Sequence, residues 1–141
     1  MVLALAACSS GRAASDTGGS DSSARDDRVT EPAVLVEVIS LDHAPIRPAV
    51  EEVLSLAEEY GSDVIIRTYS FDSAEGEDFA AEKGITEHLP LAVFINGVSE
   101  FTVDGRTVLF ESFPQGEGTG MVADGTWTIT DLRAVLDRAT R

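Results

Sequence analysis

Cysteine is almost missing from this 141-residue chain: Cys8 stands alone, so no disulfide can form within it. Thiol–disulfide exchange needs one thiolate to attack and a second sulfur to resolve the mixed disulfide. Residues 9–141 contain neither. Lysine is as scarce, with Lys83 alone beside nine arginines, and 25 aspartates and glutamates leave a formal charge of −15. A surface that acidic repels phosphate backbones and anionic lipid, which argues against nucleic acid as a partner and against membrane binding through a folded domain. Histidine occurs twice, at His43 and His88, with no His-x-x-x-His or Cys-x-x-Cys spacing to mark a zinc site. No apolar run approaches the ~20 residues that cross a bilayer. The glycine-rich stretch 116–120, GEGTG, lacks the lysine of a P-loop and carries Glu117, so it is expected to be a flexible loop and not a phosphate cradle. No Ser-His-Asp or paired-carboxylate arrangement follows from spacing.

The chain begins MVLALAAC. An apolar run ending Leu5-Ala6-Ala7-Cys8 looks like the lipobox of a bacterial lipoprotein signal, in which small residues leave the backbone open to a signal peptidase. Residues 1–7 then read as a signal-peptide remnant, and Cys8 as the lipidated first residue of the mature chain. Two acyl chains on one cysteine make a stable membrane anchor. The run is short and has no basic residue before it, so either the true start lies upstream of Met1 or the match is fortuitous. The segment after Cys8 favours the former. Residues 9–31 are Ser-, Gly-, Asp- and Ala-rich with almost no large apolar group, and such a segment buries too little surface to offset its ordering entropy. Residues 8–31 are thus expected to be a lipidated cysteine and a disordered tether, placing the protein at the cell envelope on the extracytoplasmic side.

Residues 32–141 are long enough for one domain with its own core. The run 34–39 is short and β-branched, as in a central buried strand. After a turn at 40–45, Pro48 suits the first turn of a helix. Val50, Val53, Leu54, Ala57 and Tyr60 then share one face of that helix, opposite Glu51, Glu52, Glu58 and Glu59. A second strand is expected at 63–69, then a short helix capped by Asp72 or Ser73, carrying Phe79 and Ala80 and ending at Gly84. A third strand spans 91–95, with Asn96-Gly97 as a hairpin signal. Strands at 100–103 and 107–110 flank Asp104-Gly105. Thr128 with Asp131 opens the last helix as a capping box, and Trp127 just before it is expected to be a packing anchor. The pattern is α/β: a mixed sheet flanked by helices, with an extended C-terminal β-hairpin.

Two landmarks carry a family resemblance. The strand, the turn His43-Ala44-Pro45-Ile46 and Pro48, followed downstream by His88-Leu89-Pro90 ahead of LAVFING, resemble the layout of a thioredoxin-like domain. In that family the first strand runs into a Cys-x-x-Cys turn, and a cis-proline precedes the third strand. The resemblance puts His43 and Ile46, or in a shifted register Ser40 and His43, at the cysteine positions, and it makes Pro90 the cis-proline. No register supplies a thiol, so the domain is expected to be redox-inactive and not an enzyme of the thioredoxin type.

What the resemblance implies instead is a binding or assembly module for an envelope protein or peptide. Its contact residues would be His43, Ala44, Pro45, Ile46, His88, Leu89 and Pro90, with an extended peptide pairing beside Pro90. No cofactor is required. The alternative is a metal-binding or metal-delivery protein in which His43 and His88, with Asp42 and Glu87 beside them, hold zinc or copper. The two readings differ in one observable: a metal needs the two imidazoles within ~4–5 Å, whereas a peptide needs an open apolar groove beside Pro90.

Overall fold

The computed structural model describes residues 32–87, 89–116 and 124–141. Cys8, the expected tether, His88 and most of the glycine-rich loop lie outside them.

Strand β1 (Val34–Ser40) is the centre of the molecule. Val34, Val36 and Val38 point to one face, Glu37 and Ile39 to the other, and all five are buried. This two-sided burial is what a short β-branched run without alternation predicts. Strand β2 (Val64–Ser70) pairs with it in parallel and β3 (Leu91–Ile95) antiparallel, giving a mixed sheet of order β2-β1-β3.

Helix α1 (Arg47–Glu58) connects β1 to β2, with a proline in its first turn. It buries Ala49, Val53, Leu56 and Ala57. The face is therefore turned from the expected one: Val50, Leu54 and Tyr60 are only partly buried and pack at its margin. The reason is that α1 meets two neighbours, the sheet and α3 (Ile129–Ala139). Tyr60, beyond the helix end, serves the second contact. Its hydroxyl donates to Asp137 at 2.8 Å, while Arg133 reaches Glu59 in a two-pronged pair at 2.7 and 3.0 Å. Desolvation and the Asp137 carboxylate push the Tyr60 phenol up to about 12.

Helix α2 (Ala74–Lys83) lies on the opposite face of the sheet. Ser73 caps it by accepting from the Gly76 amide at 3.0 Å, and Gly84 ends it in the left-handed region at φ 71°. Gly76 is required for its seating, since a Cβ there would run into the Ser70 carbonyl.

After β3, Asn96 (φ 50°) and Gly97 (φ 81°) make the tight turn that the dipeptide predicts, and Ile95 bridges to Val98. Strands β4 (Glu100–Val103) and β5 (Arg106–Leu109) form an antiparallel pair around Asp104-Gly105. The chain then runs back beside β3, where the Val93 amide donates to the Phe110 carbonyl and the Ser112 amide to the Leu91 carbonyl. Residues 124–127 brace this segment. Trp127, fully buried, donates its indole N–H to the Glu111 carbonyl at 3.0 Å. Thr128 and Asp131 then form the expected capping box of α3.

A further expectation fails at Pro90. Among the described residues no peptide bond is cis, that between Leu89 and Pro90 included. Trans is favoured before proline by ~0.5–1 kcal/mol, and the trans loop already closes, because the Pro90 carbonyl accepts from the Leu41 amide at 3.1 Å.

Candidate functional site

The parallel strands β1 and β2 end at the same edge of the sheet, at Ser40 and Ser70. Their next residues, Leu41 and Phe71, each carry the backbone pairing one bond further. The Phe71 amide donates to the Ser40 carbonyl at 3.0 Å, and the Leu41 amide to Pro90. Three chain segments are thereby pinned together: the exit of β1, the exit of β2 and the approach to β3.

Between them and α2 lies an open cavity of about 570 Å³. Leu41, Phe71, Ala80, Ala81, Ile85 and Leu89 supply its apolar wall. Phe71, Ile85 and Leu89 also pack against the cluster of Ile39, Phe79, Ala80, Ala92 and Phe94, so the wall is the outer surface of a small core. Asp72, Glu77 and Glu87 line the cavity as well, and no basic side chain is among its described lining residues. Burial, with a smaller contribution from the Glu87 charge, raises the Glu111 carboxyl above the ordinary carboxylate range.

The sequence-predicted residues distribute unevenly around this cavity. Leu89 lines it directly, and Pro90, buried and outside the lining, accepts through its carbonyl from the Leu41 amide. His43, Ala44 and Pro45 are exposed on the neighbouring turn, which is closed by the Ile46 amide donating to the His43 carbonyl at 2.9 Å. Ile46 is the exception among them. It is 5% exposed and sits in the large core beneath α1, so it is not presented to a partner. His88 lies outside the described residues, and with it the two-histidine metal site. Among the described residues no group of three or more His, Cys, Asp or Glu is placed to hold a metal.

The cavity residues that sequence reasoning passed over are Leu41, Phe71, Ala81 and Ile85, with the carboxylates Asp72 and Glu77. A usable signal was present for the first two. Ligands of α/β proteins bind in the crevice outside the carboxyl ends of the parallel strands, and Leu41 and Phe71 directly follow those ends.

A buried charge also lies on the α2 side, outside the cavity lining. Glu37, 6% exposed in the middle of β1, meets the Lys83 ammonium at 3.4 Å, and that ammonium also stands 5.1 and 5.5 Å from the ring centres of Phe79 and Phe94. This pair joins the end of α2 to the central strand. It holds the helix that walls the cavity and takes no part in the cavity itself.

No family model, curated protein or solved structure matches this chain.

Proposed function

We propose that this protein is a redox-inactive thioredoxin-like domain that binds a segment of another envelope protein. The observation that carries this reading is the open apolar cavity between Leu41, Phe71, Ile85 and Leu89, beside the Pro90 loop. An open groove at that place is what peptide docking requires and what a two-histidine metal site does not. The element order supports the family assignment: β1 parallel to β2, antiparallel to β3, with α1 and α2 as the intervening helices. With no cysteine after Cys8, the site has no nucleophilic sulfur. Its chemistry is that of recognition, through apolar burial and backbone pairing. Cys8 serves as the lipid anchor, so the domain meets its partner at the membrane face outside the cytoplasm.

The test is a selection of peptides from a random library on the full chain, followed by NMR mapping of the selected sequences. Ligands shifting the resonances of Leu41, Phe71, Ile85 and Leu89, and lost in Leu89→Arg, are the expected result. Ligands that map to another face, or a selection that enriches none, would overturn it.

A further inference from the structure

The cavity has an apolar interior and a charged mouth of one sign. Asp72 stands at the corner between β2 and α2, Glu77 in the first turn of α2, and Glu87 on the approach to β3. Glu111, outside the cavity lining, is close enough to Glu87 to feel its charge. The nearby bases are engaged elsewhere: Arg47 pairs with Asp42 at 3.2 Å, and Lys83 with Glu37 on another part of α2. The amino end of α2 offers no anion site, being capped by the Ser73 hydroxyl and followed by Glu75 and Glu77.

Resting on the binding reading above, we infer that the docked segment carries basic side chains on either side of an apolar one. The apolar side chain fills the space between Leu41, Phe71, Ile85 and Leu89. The flanking arginines or lysines reach Asp72 and Glu77 on one wall and Glu87 on the other. A carboxylate-bearing segment is rejected, because its charge would enter a mouth lined by three carboxylates and no base among the described residues. Whole-chain acidity steers basic molecules in general. The carboxylates at the mouth make the preference local, and that is what separates this inference from a statement about net charge.

Three fluorescein-labelled peptides test it on the full chain by polarisation: a leucine flanked by two arginines, by two serines, or by two glutamates. At ~0.05 M salt the arginine peptide is expected to bind about tenfold tighter than the serine peptide, the sum of two or three partly exposed charge pairs. The glutamate peptide should bind weakest. At ~0.5 M salt the advantage should shrink severalfold through screening. The Asp72→Asn/Glu77→Gln/Glu87→Gln variant should remove the difference between the arginine and serine peptides. Equal affinity of wild type for all three peptides, with each lost in Leu89→Arg, would sink the charge preference and leave the groove reading standing. An arginine preference that persists in the triple variant would assign it to the overall charge and overturn the inference as well. No binding of any peptide would remove both readings together.

Discussion

On the α1–α3 side of the sheet, Trp127, Phe110, Phe113 and the valines of β1 join one cluster whose members are almost wholly shielded from solvent. On the α2 side, five buried residues and a ring of partly covered ones make a smaller cluster, with the Glu37–Lys83 ion pair beside it. The sheet is thus packed unequally. Two helices and the β4–β5 pair close one face, while the ten-residue α2 closes only part of the other. The open part becomes the cavity, and at the opposite end Ile65 is left 51% exposed. The difference teaches how a small domain combines a stable core with an open, charged edge. The apolar burial that holds the fold is concentrated on one face, which frees the other to carry charge and unfilled volume.

The largest expected effect breaks the comparison at its stronger side. Trp127→Ala empties a fully buried site and removes the bond to the Glu111 carbonyl. Chemical denaturation should show a loss of ~3–5 kcal/mol. Phe79→Ala, in the smaller cluster, should cost less, at or below ~3 kcal/mol. The reverse order would mean that the α2 side carries the fold.

Next comes the ion pair. Lys83→Ala strands the Glu37 carboxylate in a nearly dry place, since the Lys83 side chain is itself only 14% exposed. A loss of ~2–4 kcal/mol is expected, and Glu37→Leu/Lys83→Met should recover most of it. A double variant as unstable as the single one would show that the charges themselves are required.

A smaller effect concerns the start of α3. Burial raises the Asp131 carboxyl, but the Arg106 guanidinium and the Thr128 hydroxyl and amide outweigh it and hold it below the ordinary carboxylate range. A lowered folded value means that stability is present above the unfolded pKa and drains away as pH falls through the folded one. Asp131→Asn should therefore cost ~1–2 kcal/mol at neutral pH, the scale of a lost cap, and the gap to wild type should close in acid.

The smallest effect has the opposite sign. Glu111 is raised by burial and by Glu87, so its protonated form is favoured in the folded state, and its contribution declines as pH rises through the folded value. Glu111→Gln should raise the thermal midpoint slightly at neutral pH, with the gain vanishing below the ordinary carboxylate range. A gain that persists in acid would point to packing instead of charge.

Much of the frame was legible from local chemistry. The β-branched run of β1, the Asn96-Gly97 turn, Ser73 before α2 and the Thr128/Asp131 box each specify their geometry within a few residues, and each stands where the sequence placed it. What escaped depends on contacts distant in sequence. The phase of α1 follows from where α3 lands, and the cavity exists because Leu41, Phe71, Ile85 and Leu89, from separate segments, meet at one edge. Glu37 could have been flagged, since a glutamate inside an otherwise apolar buried strand needs a cation, but one lysine and nine arginines left its partner open. The shape of the Leu89–Pro90 loop was read from the family layout, and the trans bond departs from it.

The position of Lys83 also makes the chain its own sensor. Apart from a terminal amine, no other primary amine exists in the sequence, and this one is held against a carboxylate and two aromatic rings. Acylating reagents should therefore modify the folded protein slowly, at a rate set by how often the end of α2 lifts from the sheet. Mass spectrometry of one labelled peptide would then follow the opening of the cavity wall directly, and a docked partner that clamps α2 should slow that labelling further.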